Sequence, residues 1–165
     1  MIAAAPGVTV GMELRARLTD LYVAYENTLN DGAFEAWPDH FTEACVYRII
    51  PKENQDAGFP VAVIYCESRG MLADRVVALR ETALYAPRTM RLMTSGISLR
   101  SIDDDGMYLT ASFAVFQTMQ DQPSEVFLCG RYQDRVVDDG GALRFAERLC
   151  IYDSTIVPLS LVYPL

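Results

Sequence analysis

The stretch from Met107 to Tyr152 constrains the fold more than any other, because it reads as three consecutive strands divided by short turns. From Met107 to Met119 the residues alternate: Leu109, Ala111, Phe113 and Val115 share one parity, and Tyr108, Thr110, Ser112 and Ala114 the other. Successive side chains of a strand point to opposite faces, so this pattern gives one apolar and one mixed face. Asp121, Gln122, Pro123 and Ser124 form a turn signal, since Pro fixes φ while Asp and Ser bond locally. Glu125 to Val137 repeats the alternation, with Val126, Leu128, Gly130 and Tyr132 on one side. Asp138, Asp139, Gly140 and Gly141 then read as a hairpin, because Gly tolerates the positive φ such turns need. Leu143 to Ile151 closes the set, with Leu143, Phe145, Leu149 and Ile151 on the apolar parity. The expectation is an antiparallel meander with one apolar face. Its second face carries Cys129, Arg131, Gln133 and Arg135 on the middle strand, and Arg144, Arg148, Cys150 and Tyr152 on the last.

An antiparallel sheet with one apolar face packs that face on helices, and the upstream chain supplies them. Thr9 to Asn30 reads as a helix with Leu14, Leu18, Leu21, Tyr22, Tyr25 and Leu29 in one stripe, ended near Gly32. Ala33 to Phe41 reads as a short helix that points Phe34, Trp37 and Phe41 one way. A strand from Cys45 to Lys52, a polar loop to Pro60 and a short strand from Val61 to Tyr65 follow. Ser68 is placed to cap a helix that buries Met71, Leu72, Val76 and Leu79. Ala83 to Thr89 is a connector, and Met90 to Ile102 a long strand turned into the meander by Asp103 to Gly106. This order is α+β: a bent antiparallel sheet with helices on its concave face, the cone of the nuclear-transport-factor-2-like (cystatin-like) architecture. Residues 1–12 read as a frayed terminus and residues 13–165 as one domain.

Charge and ligand counts narrow the function. A formal net charge of −8 argues against nucleic acid as the main partner, since phosphate binding needs a concentrated basic surface. No run reaches the ~20 apolar residues of a membrane span, and the first seven residues lack a charged region and a long apolar core. A cytoplasmic protein is expected. Cys45, Cys66, Cys129 and Cys150 include no closely spaced pair, and His40 is the only histidine. Zinc and iron–sulfur sites pair cysteines at short spacing, and a Rieske centre or a two-histidine iron site needs more than one histidine. No metal ligands, cofactor-binding residues or catalytic centre are therefore assigned to this chain, and the cysteines read as small buried hydrophobes.

Four motifs, "WPDHFTEACVYRI" (37–49), "SRGMLADRVVALRE" (68–81), "CGRYQDRV" (129–136) and "RFAERLCIYDSTIV" (144–157), stand in an order and at spacings that resemble a known family. That family is the small (beta) subunit of aromatic-ring-hydroxylating dioxygenases, and residues 64–91 look most similar to terephthalate- and salicylate-type small subunits. After Arg91 the family often has a His and then Ser-Asn, where this chain has Leu92, Ser95 and Gly96. The resemblance implies a cone-shaped subunit that forms a trimer beneath three large (alpha) subunits, in a hexamer. It also implies that the Rieske iron–sulfur cluster, the mononuclear iron and the dihydroxylation of an aromatic compound belong to the large subunit, with this chain as a structural platform.

A different class of function, a self-contained isomerase or dehydratase of the same cone, would need an acid–base pair inside it. His40, Asp39, Tyr22 and Tyr47 are the candidates, and no convincing pair stands among them. A ligand-binding module without chemistry also fits the fold but has no motif in its favour. For the platform reading, parity puts Arg131 and Arg148 together on the mixed face, where Glu147 and Asp153 could pair with them. The apolar tail from Ile156 to Leu165 holds Pro158 and Pro164, so it is expected to be extended and to need cover. Arg131, Arg148, Tyr152, Asp153, Tyr163 and Leu165 are thus the expected subunit interface.

Overall fold

The computed structural model describes residues 10–82, 86–155 and 161–165. Residues 1–9, much of the frayed segment, and residues 83–85 and 156–160 lie outside it, so the connector and the start of the tail are not tested. Helix α1 (Met12–Asn30) is followed by a 3₁₀ helix (Phe34–His40), β1 (Phe41–Pro51), a short α2 (Lys52–Asp56), β2 (Ile64–Cys66) and α3 (Arg69–Glu81). Four long strands complete the chain: β3 (Arg88–Asp103), β4 (Gly106–Met119), β5 (Glu125–Asp139) and β6 (Ala142–Tyr152).

Local chemistry sets these boundaries. Gly32 takes φ +69° after the last turn of α1, and the Asp31 N–H closes on the Asn27 carbonyl. The Ser68 hydroxyl accepts from the Met71 N–H and starts α3. In the β5–β6 hairpin Gly140 and Gly141 both have positive φ, and the Asp138 carboxylate accepts from the Gly141 N–H.

The strands form one sheet in the order β2-β1-β6-β5-β4-β3. The β3–β6 meander is antiparallel as expected, but β1 lies parallel to β6, so the sheet is mixed. Nearly the whole domain separates those two strands in sequence, so no hairpin forces them antiparallel. Helix α1 covers the concave face and also manages the β3 edge. Asn30 donates to the Leu92 carbonyl and accepts from its N–H, and Glu26 accepts from the Thr94 N–H. The core draws Leu18, Tyr22, Tyr25, Trp37, Phe41, Leu72 and Leu79 against Leu109, Phe113, Tyr132 and Phe145. Met71, expected in that stripe, is 40% exposed.

Bulges in β5 and in β6 change which residues of those strands face inward. Val115 pairs with Leu128 while Phe116 pairs with Val126, so Phe127 is the extra residue on β5. Arg135 pairs with Glu147 while Val136 pairs with Phe145, so Ala146 is the extra residue on β6. One inserted residue reverses the faces of everything beyond it. Val126 therefore points outward and is 59% exposed. On β6, Arg148, Cys150 and Tyr152 follow Phe145 into the cone, and all are fully buried. The shared mixed face of Arg131 and Arg148 is thereby corrected: Arg131 is exposed on the outer face, and Arg148 lies inside.

Candidate functional site

The interior of the cone holds the strongest chemical constellation of the described residues. Arg148 enters from β6 and Asp134 from the facing β5, where the two pair in register. Arg148 Nε donates to Asp134 Oδ1 at 3.1 Å and Nη2 to Oδ2 at 2.8 Å, a two-pronged contact with both side chains fully buried. The Tyr22 hydroxyl of α1 donates to Asp134 Oδ2 at 2.5 Å. The remaining guanidinium nitrogen, Nη1, has no hydrogen-bond partner, but aromatic faces surround the cation. Its carbon stands 3.8 Å from the Phe145 ring centre, 4.1 Å from those of Tyr25 and Tyr132, and 5.0 Å from that of Tyr22.

Burial works against charge on Arg148, yet the Asp134 carboxylate outweighs it and holds the guanidinium protonated. Burial pushes the Tyr22, Tyr25, Tyr47 and Tyr132 hydroxyls well above the ordinary phenol range, so none is a phenolate near neutrality. Both Asp134 oxygens are committed. The cluster can hold a cation against an anion, and it offers no uncommitted base.

Beside this pair the chain closes on itself. Leu165 is 1% exposed, and its carbonyl accepts from the Tyr25 hydroxyl at 2.5 Å and the Tyr47 hydroxyl at 3.4 Å. Its N–H donates to the Tyr47 oxygen at 2.8 Å, and Trp37 Nε1 donates to the Tyr25 oxygen at 3.1 Å. The tail, expected to find its cover in the subunit interface, is corrected for residues 161–165: Leu161 and Leu165 are covered by the chain's own core, and Tyr163 packs on Phe34. Tyr152 is likewise buried, so among the proposed interface residues Arg131 and Asp153 are the two exposed. Arg148 pairs with Asp134 instead, and among the described residues no ion pair joins Glu147 or Asp153 to either arginine.

The four acid–base candidates are dispersed. Tyr22 serves Asp134 and Tyr47 serves Leu165, while Asp39 is exposed with its main-chain carbonyl held by Arg144. His40 lines an open groove of about 390 Å³ between α1 and the β5–β6 hairpin. Its Nε2 is 2.8 Å from Thr28 Oγ1, whose proton is already given to the Ala24 carbonyl, so Nε2 is the donor. Burial chiefly, with the Arg148 and Arg144 charges, lowers the His40 pKa, and Asp39 opposes this. A histidine depressed in the folded state takes its proton more readily when unfolded, so stability falls as pH drops through about 6.5. The urea midpoint should be lower at pH 5.5 than at pH 7.5, and His40→Gln should flatten that difference. An unchanged slope in the variant would mean that another group carries it.

Asp134 is the residue of this cluster that sequence reasoning missed. Its signal was available: it shares the inward parity of Leu128, Gly130 and Tyr132, and a carboxylate there demands a buried partner. Among the described residues no three His, Cys, Asp or Glu side chains group as metal ligands, and no helix is long and apolar enough to cross a membrane.

The comparisons with known proteins fit this geometry. Residues 26–158 match the family model described as ring hydroxylating beta subunit. The chain is similar to the anthranilate 1,2-dioxygenase small subunit of Burkholderia cepacia, with 38% identity over 86% of this chain and 88% of that protein. It is 33% identical to a terephthalate 1,2-dioxygenase terminal oxygenase beta subunit of Comamonas sp., covering 86% of this chain and 92% of the relative. A crystal structure assigned as an aromatic-ring-hydroxylating dioxygenase beta subunit from Novosphingobium aromaticivorans superposes with TM-score 0.84. It is 37% identical and covers 93% of this chain and 97% of its own. With the α+β cone and a match across most of the domain, the chain belongs to the small, or beta, subunits of aromatic-ring-hydroxylating dioxygenases.

Proposed function

We propose that this chain is the non-catalytic platform of a cytoplasmic ring-hydroxylating dioxygenase. It supports a large subunit that holds the Rieske cluster and the mononuclear iron and oxidises an aromatic acid of the anthranilate or terephthalate kind. The observation that carries the platform role is the filled cone. Where an isomerase or dehydratase would keep a free acid–base pair, this chain has a carboxylate committed to Arg148 and Tyr22 and a leucine held by two tyrosines. The outer face is left to meet neighbours. There Arg131, Ser112 and Cys129 are exposed beside Met93 at 56% and Val126 at 59%, with exposed Arg91 in the same row as Val126, a mixture of apolar area and planar cations suited to an interface core. This surface is the proposed contact of a single small-subunit trimer, which underlies three large subunits.

Co-expression with a large oxygenase subunit tests the reading. The small chain alone should be colourless and without stoichiometric iron, and the complex should turn over anthranilate or terephthalate. Iron near one per isolated chain would overturn the platform role. Arg131→Glu should shift the sedimenting species toward monomer, because it reverses a charge inside the contact. An unmoved sedimentation profile would put the trimer contact elsewhere.

A further inference from the structure

Two adjacent rows on the outer face of the sheet turn polar side chains toward one cavity. Tyr108 on β4 pairs in register with Arg135 on β5, and Arg135 with Glu147 on β6. The next row runs through Thr110, Gln133 and Leu149. On β3, Leu99 pairs with Leu109 and Ser101 with Tyr108, so Arg100 is the unpaired residue of a bulge. Bulges commonly re-aim a side chain beside a site. Arg100 Nε crosses to Thr110 Oγ1 at 2.9 Å, which sets its guanidinium at the β3 end of both rows. The space between these side chains measures about 270 Å³.

The polar groups around it are largely uncommitted. Arg135 donates one N–H to the Asp105 carbonyl at 3.1 Å and Arg100 one to Thr110, so both guanidinium groups keep further donors. Among the described residues neither arginine has an ion pair, although the chain carries a net charge of −8. The half-buried side chains of Tyr108, Gln133 and Glu147 make no hydrogen bond or ion pair there either. Guanidinium forks match the planar geometry of a carboxylate. Glu147, at the β6 end, accepts an N–H or O–H and repels a dianion such as phosphate. Between the two ends the Tyr108 ring and Leu149 supply apolar contact. Pockets for drug-sized ligands begin near ~300 Å³, so this one suits a single ring.

We propose that the outer face carries a binding site for a small aromatic monocarboxylate. The carboxylate meets Arg100 and Arg135, and a donor on the far side of the ring meets Glu147. This inference does not rest on the dioxygenase assignment, since every group belongs to this chain.

Ligand-observed NMR titration of the full chain with para-aminobenzoate tests it. Binding should saturate at millimolar concentration or below. Benzoate lacks the ring donor and should bind about tenfold more weakly, the worth of one hydrogen bond to a charged group. Aniline, without a carboxylate, should not bind. Arg100→Gln and Arg135→Gln should each weaken para-aminobenzoate about tenfold or more while melting with wild type. Glu147→Ala should bind benzoate at least as well as wild type and lose the preference for the amino ring, a change that general loosening of the sheet would not produce. The proposal is overturned by absent saturation in wild type, by unchanged affinity in both arginine variants, or by an amino preference that survives Glu147→Ala. Inorganic phosphate displacing the probe as effectively as benzoate would equally overturn it, since the site would then hold an adventitious ion only.

Discussion

Arg148→Leu should cost about 3–5 kcal/mol of folding stability, one of the two largest losses expected from a single substitution in this chain. The magnitude comes from what the substitution leaves behind rather than from what it removes. Asp134 would remain fully buried with the Tyr22 hydroxyl as its one side-chain donor, and an uncompensated buried charge is far more costly than a missing ion pair. For a domain of this size the loss corresponds to a fall in Tm of roughly 6–20 °C. Converting the whole cluster to apolar groups should behave differently. The triple replacement Arg148→Met, Asp134→Leu, Tyr22→Phe removes cation, anion and hydroxyl together, so it should lie within about 2 kcal/mol of wild type despite three core changes. Urea denaturation of wild type, single and triple variants measures both terms. A single variant as stable as wild type would show that the pair is incidental to the fold. A triple variant worse than the single one would show that packing around the guanidinium, not its charge, sets the cost.

The same pair marks the limit of what the residues reveal before folding. Phe113, Trp37, Gly32 and Ser68 were legible because each acts through local rules: alternation, helical spacing, a left-handed turn, an N-cap hydroxyl. Arg148 was not, because its direction depends on Ala146, a residue with no side-chain feature that announces a bulge. A single unpaired residue moved Arg148, Cys150 and Tyr152 from the outer face to the inner one and displaced Leu149 and Ile151. The tail failed for another reason. Leu161, Tyr163 and Leu165 demanded cover, and an apolar segment satisfies that demand equally in its own domain or in a neighbour's. The tyrosines that decide the matter, Tyr25 and Tyr47, lie more than a hundred residues away. The resemblance of motifs located the family without any of this, because it compares the residues themselves and not their directions.

Gly130→Ala should be comparably damaging, at about 3 kcal/mol, although it adds one methyl group. Gly130 pairs with Tyr152 on β6 and with Phe113 on β4, at the point where the Asp153 N–H reaches the Cys129 carbonyl. Here β6 closes tightly over β5. A Cβ on residue 130 would fall on the Ile151 carbonyl oxygen and stand 2.8 Å from Tyr152 Cα. Both obstacles are main chain, so no rotamer change relieves them, and the strands must part. Parting them also disturbs Tyr152 and Cys150, which line the interior next to Arg148 and Leu165. Overpacking of well-filled interiors costs about 1–3 kcal/mol, and a collision with rigid backbone belongs at the top of that range. Gly70→Ala is the matched control. Gly70 lies exposed in the first turn of α3, where a Cβ meets nothing nearer than Ser68 Oγ at 3.7 Å, so the helix preference for alanine should raise stability by up to about 1 kcal/mol. Thermal unfolding of the two variants should therefore move in opposite directions from wild type, by roughly 6–12 °C downward for Gly130→Ala and by a few degrees upward for Gly70→Ala. If Gly130→Ala melts with wild type, β5 and β6 are not locked as described, and the glycine there answers to something other than the closure of the sheet.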